Sequence, residues 1–225
     1  MIDYTITRAN RKTTAIYVNK DGSVEVRCPK GFPSREIEKF VLSNLPFLEP
    51  KSALMKERAR QRETFSVTPG DTLWFLGNEY PLEQVPFSKM GFDGSRFYVP
   101  EDMQADNIKP GIIRIYKNLA DKMLKSKTND FSKILKLTPI NVKINSAKTR
   151  WGSCSGKDSI NFSWRLILAD EKCVDYVVIH ELAHLAEHNH SNKFWAIVKK
   201  HMPDYKVQDK QLKELQKKLA AENWD

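Results

Sequence analysis

His180-Glu181-Leu182-Ala183-His184 places two imidazoles four residues apart, with a carboxylate beside the first. On a helix, four steps of about 100° return to within roughly 40° of the starting direction, one turn along. Both rings then project from one stripe and can reach one metal ion. Glu181 is offset from that ion by its neighbouring position. Two neutral nitrogens on zinc and a carboxylate poised over a polarised water are what a zinc hydrolase requires. The bland alternative is a pair of core histidines with ordinary hydrogen bonds. The HExxH spacing favours the metal.

The flanking residues predict a helix. Val174, Val177, Val178, Leu182 and Leu185 form one apolar face, which Ile179, Ala183 and Ala186 extend most of the way round. A helix this apolar is expected to be buried. Its histidines and glutamate then need partners, because an unpaired buried polar group costs about 1–3 kcal/mol. Two ligands are too few, since a catalytic zinc usually has three. His188 lies about 12 Å from His180 along a continuous helix and cannot share its ion. His190 is better placed if the helix stops first. Asn189 tolerates the left-handed conformation that ends helices, and Ser191 can cap a following helix from Asn192 to about His201. His201 and Glu214 are rival third ligands. The spacing out to His190 also fits the metzincin pattern, but Glu187 occupies its glycine position and no Met-turn is evident.

The run His180 to Trp195, with Met202-Pro203-Asp204-Tyr205 after it, resembles the YgjP-like metallopeptidase-domain family, relatives of the SprT-like and WLM zinc proteases. Thr149-Arg150-Trp151-Gly152-Ser153-Cys154-Ser155 and Asn161-Phe162-Ser163-Trp164-Arg165-Leu166 carry the same resemblance. It is specific over about residues 140–206. It implies a zincin-type catalytic core with His190 as the third ligand.

A chain of 225 residues can bury a substantial core in one domain or two small ones. No run approaches the roughly 18 apolar residues of a membrane span. Met1-Ile2-Asp3-Tyr4-Thr5 does not look like a secretory signal. Cys28, Cys154 and Cys173 are odd in number and form no CxxC pair, which fits reduced thiols in a cytoplasmic protein. The net charge of +9 favours polyanionic partners, nucleotide or nucleic acid among them, or serves solubility alone. Lysines from Lys206 to Lys218 are interrupted by Asp209 and Glu214 at helical spacing, as on a solvated helix face.

The expected fold class is α+β. Tyr4–Thr7, Thr13–Val18 and Val24–Cys28 read as an antiparallel meander with Asp21-Gly22 in a turn. Ser34 is expected to cap a helix carrying Ile37, Phe40 and Val41, interrupted at Pro46 and Pro50. Further strands are expected at Phe65–Val67, Thr72–Leu76 and Arg96–Val99. Pro110 is expected to open a helix, and Phe131–Leu137 to add a shorter one. Polar residues 100–107 mark a boundary between a β-rich part, 1–105, and a zincin-like catalytic part, 106–225. Three short strands within 140–166 suggest a small sheet packed on the HExxH helix, one of which could hold an extended substrate.

The leading functional reading is a zinc metallopeptidase with His180, His184 and His190 on the ion and Glu181 as general base. Arg150 and Arg165 are candidates for binding a substrate carboxylate or phosphate, against a structural role in the core. Tyr176 and Tyr205 are oxyanion-donor candidates by chemistry alone. Two rival readings keep the metal. One is a nucleotide pyrophosphohydrolase, motivated by Lys148, Arg150, Lys157 and Arg165. The other is a nucleic-acid-associated module with a structural zinc. The partner expected first is a peptide or protein.

Overall fold

The computed structural model describes residues 2–86 and 88–224. The chain divides into two compact units, Met1–Phe65 with Lys218–Asn223, and Ser66–Lys217 with Trp224–Asp225. The boundary expected at residues 100–107 falls within the second unit, where its first sheet gives way to a long helix.

The first unit contains β1 (Tyr4–Ala9), β2 (Ala15–Val18), β3 (Val24–Pro29) and helix α1 (Ser34–Thr64). β3 alternates strictly, burying Val24, Val26 and Cys28. That face packs against Ile37, Val41 and Leu48 of α1. The expected meander is corrected in one respect. β3 is the middle strand, antiparallel to β2 but parallel to β1, with Tyr4 opposite Val24. Gly22 has φ of 85°, and a Cβ there would collide with Lys56 and the Ser52 carbonyl, so the Asp21-Gly22 turn requires glycine. Ser52 donates to the Gly22 carbonyl at 2.6 Å.

α1 also departs from expectation, because it runs unbroken through Pro46 and Pro50. These rings remove the N–H groups that would bond the Leu42 and Pro46 carbonyls. Leu42, Pro46 and Pro50 all lie on the exposed side, where water can take those oxygens. Ser34 is the first helical residue, after Pro33, and accepts from Arg8 instead of capping.

The second unit begins with a four-stranded mixed sheet of β4 (Thr72–Phe75), β5 (Asn78–Val85), β6 (Gly91–Phe92) and β7 (Phe97–Pro100), in the order β4-β5-β7-β6. Phe65–Val67 is not a strand, although Val67 is buried. Helix α2 (Ala105–Leu135) follows as one element. It starts five residues before Pro110 and absorbs the shorter helix expected after it, ending at Lys136 in the left-handed region. Ile108, Ile112, Tyr116, Ala120 and Leu124 form its buried stripe.

Next come β8 (Asn141–Asn145), β9 (Gly152–Cys154) and β10 (Ser159–Ser163), which form the expected small sheet. β10 is central, parallel to β8 and antiparallel to β9. A 3-10 turn, Trp164–Leu168, leads into α3 (Glu171–Ala183). α4 (Asn192–His201) and α5 (Tyr205–Leu219) follow. α3 is buried along Val174, Val177, Val178, Ile179 and Leu182. Lys127 of α2 fastens α3 through Glu171 at 2.7 Å and Asp175 at 2.6 Å. Tyr116 stacks on Trp164, their ring centroids 5.5 Å apart, and Trp224 meets both edge-on.

Candidate metal centre

α3 carries His180 and Glu181 in its last turn, and His184 caps it. The chain makes one more helical turn, with the Glu187 N–H donating to the Ala183 carbonyl. It then leaves the helix and returns through His190 to Ser191. The helix ends before His190 as expected, but Asn189 does not adopt the left-handed conformation. Ser191 caps α4 by accepting from the Phe194 N–H. The turn brings His190 back onto His180, with their Nε2 atoms 3.1 Å apart.

One ligand nitrogen from each of His180, His184 and His190 lies within 4.8 Å of the others. Among the described residues no other His, Cys, Asp or Glu joins this cluster, so His188, His201 and Glu214 stand outside it. The His184 Nδ1 is 3.1 Å from the Glu187 carbonyl. That nitrogen therefore holds the proton and donates, which leaves Nε2 with a lone pair for an ion. Ligand nitrogens on a tetrahedral zinc lie roughly 3.3 Å apart, given bonds of about 2.0–2.1 Å. The 3.1 Å approach of His180 to His190 is close to that edge. The donor set fits a metal ion of the zinc type.

The electrostatics agree with that fit. Burial, and then the fields of His184 and His190, hold His180 down at about 3. Burial also lowers His184. Both rings are thus neutral at neutral pH, the form that binds metal. Glu181 is only 5% exposed, with Oε2 lacking a hydrogen-bond partner in the protein. Burial pushes its carboxyl up to about 8, and Arg150 pulls weakly the other way. Without a metal ion nearby such a carboxyl is protonated at neutral pH; a bound ion would pull it back toward the ionised form that accepts a proton.

Glu181 lies against β9. The three atoms nearest to a Cβ built on Gly152 all belong to the Glu181 side chain, the closest at 2.6 Å. The sequence motif around Gly152 did not single this residue out. Glycine within a strand is a sign of close approach, and that signal was available. Cys154, two residues along β9, is half-buried near Glu181. Burial first, then Glu181 and Asp158, push its thiol up to about 11, so it remains protonated. The rings that surround the imidazoles were also missed. Phe194 packs on all three histidines, and Trp195 stacks on His190.

The two arginines separate. Arg150 is exposed and close enough to act on Glu181. Arg165 is 6% exposed and donates to the Ser146 carbonyl at 2.9 Å and the Trp224 carbonyl at 3.1 Å, with its guanidinium over Trp164. Of the two roles open to Arg165, these contacts belong to the structural one: its donors hold backbone. That also removes one of the four cations that motivated the nucleotide reading. Tyr176 is buried in a stack with Tyr205, behind His180.

Helices and small mixed sheets with three imidazoles converging around a buried HExxH glutamate define a metal-dependent hydrolase. A family model described as YgjP-like, metallopeptidase domain, matches residues 12–215, and the chain belongs to that family. It is accordingly a metallopeptidase, with a catalytic metal and a peptide or protein substrate. Two crystal structures of metallopeptidase zymogens are similar to part of it. Abylysin of Pyrococcus abyssi is 28% identical, over 41% of this chain and 95% of its own, with a TM-score of 0.38. Jannalysin of Methanocaldococcus jannaschii is 25% identical, over 42% of this chain and 95% of its own, with a TM-score of 0.36. No curated protein matches the chain. Among the described residues no helix is long and apolar enough to cross a membrane.

Proposed function

We propose that the protein hydrolyses peptide bonds with a zinc ion held by His180, His184 and His190, and with Glu181 as general base. The observation that carries this reading is the convergence of three imidazole nitrogens within 4.8 Å, next in sequence to the buried Glu181, whose Oε2 has no hydrogen-bond partner in the protein. Zinc bound there supplies Lewis acidity, polarising the scissile carbonyl and the attacking water. Glu181 accepts the proton of that water and delivers it to the departing amine. Its burial keeps bulk water from competing for the carboxylate. Gly152 lets the carboxylate lie against β9. The outer edge of β9 offers backbone groups for pairing an extended substrate, since its other edge is taken by β10. Arg150, exposed beside Glu181, is suited to a substrate carboxylate.

The catalytic part is assigned to residues 106–225. The free, buried thiols of Cys28 and Cys173 support a reducing, cytoplasmic setting.

The test uses a labelled casein substrate and elemental analysis. Glu181→Gln should retain about one zinc per chain and lose at least 100-fold in kcat, within the usual range for a general base. His190→Ala should lose the metal. Full turnover by Glu181→Gln at normal zinc content rules out the proposed base.

A further inference from the structure

His190 is the exposed member of the cluster and the one that sits on a loop. A ligand there needs something to fix its ring, because every rotamer frozen on binding weakens affinity. His184 has such a restraint in the Glu187 carbonyl. Among the described residues His190 makes its one ring contact through a hydrogen-bonding atom at Nε2, toward His180. Its orientation is therefore left to ring packing.

That packing is continuous. Trp195 of α4 stacks on His190 at 5.5 Å and 21°. Tyr205 of α5 stacks on Trp195 at 5.0 Å and 20°. Tyr176 of α3 stacks on Tyr205 at 6.1 Å and 24°. Tyr176 then meets the His180 ring edge-on at 5.7 Å. A closed circuit of rings thus runs from one ligand to another through three helices. Phe194 stands across His190 at 86° and blocks rotation from a second side.

The geometry points to Trp195 and Tyr205 as positioning residues for the metal centre: their stacked rings hold the His190 imidazole with Nε2 turned toward His180, and so set the affinity of the three-histidine site. This rests on the metal site proposed above. Neither residue touches the ion or the substrate in this role. Residues that orient a ligand typically change metal affinity 10–100-fold when replaced.

The experiment measures zinc affinity of the full chain by competition with a chromophoric chelator, and the visible absorption of the cobalt-loaded form. Trp195→Leu keeps an apolar side chain and removes the stack, and should weaken zinc about tenfold and alter the cobalt spectrum. Trp195→Phe should recover most of the affinity. Tyr205→Leu should weaken zinc several-fold. Unchanged affinity and cobalt spectrum in both leucine variants overturn the proposal. So does a weaker zinc affinity with an unchanged cobalt spectrum, which indicates general packing. If Trp195→Leu fails to fold, Tyr205→Leu and the Trp195→Phe comparison decide the matter alone. His190→Ala binding zinc as tightly as the unaltered protein refutes the three-histidine site itself, a result distinct from the failures above.

Discussion

Gly152→Ala tests whether the Glu181 carboxylate must lie where β9 allows it. The added methyl would stand 2.6 Å from Oε1, 2.7 Å from Cγ and 2.8 Å from Cδ of Glu181. Ordinary contact begins near 3.4 Å, so the carboxylate must retreat by about 0.8 Å, the difference between 3.4 and 2.6. The helix cannot yield, because Val178, Ile179 and Leu182 beside it are fully buried. The shift falls on the Glu181 side chain. A displacement of about 1 Å at a catalytic group can cost 100-fold in rate, about 2.7 kcal/mol in the barrier. We expect kcat on labelled casein to fall roughly 30–100-fold with zinc content unchanged, since the closest atoms belong to Glu181 and none to an imidazole. Gly152→Ala should add almost nothing to Glu181→Gln, because both act on one group. An alanine variant within twofold of the original activity, at full zinc content, refutes the argument: the carboxylate would then have room to move, or no part in the chemistry.

Other perturbations separate structure from chemistry. Arg165→Met should cost about 1–3 kcal/mol of stability, read as a lower urea midpoint, by removing the donor to the buried Trp224 carbonyl, with KM unchanged. Arg150→Met should leave the midpoint in place and raise KM for acidic peptides. Lys127→Met should cost about 1–2 kcal/mol, mainly by stranding the half-buried Asp175, and appear as a lower melting temperature. For chelator-treated protein the pH dependence follows from two opposed groups. Glu181 is raised to about 8 by folding, so its contribution is lost as pH rises from about 4.5 toward 8. His180 is depressed to about 3, so its contribution is lost as pH falls below about 6.5. Urea midpoints should therefore decline on both sides of a plateau near pH 4.5–6.5, and a midpoint still rising from pH 6.5 to 8 contradicts this.

The histidine cluster was legible because helical spacing alone puts His180 and His184 on one stripe. His190 followed from a cap signal at Ser191, and α4 begins where that residue predicts. The small sheet before α3 was legible from its alternation. Its strand pairing was not, since a parallel neighbour leaves no mark in a four- or five-residue run. The prolines of α1 misled because propensity registers the lost N–H but not which side of the helix faces water. Arg165 was open to two readings: its residue type suits a substrate anion or a backbone carbonyl equally, and its burial and partners appear only in the fold. Gly152 was visible as a glycine, but its partner lies 29 positions away across the fold.

The two three-stranded sheets share one arrangement. In each, the first strand pairs parallel with the third, and the second pairs antiparallel on the other side. The strand made last is thus the one that joins the other two. Neither sheet can begin to form while its first two strands alone have left the ribosome. The local hairpin, β2 with β3 or β9 with β10, closes the shorter loop and has the lower entropic cost. β1 and β8 then dock as latecomers. Around the metal centre, the strand on which Glu181 rests is therefore held by the most local pairing of its sheet.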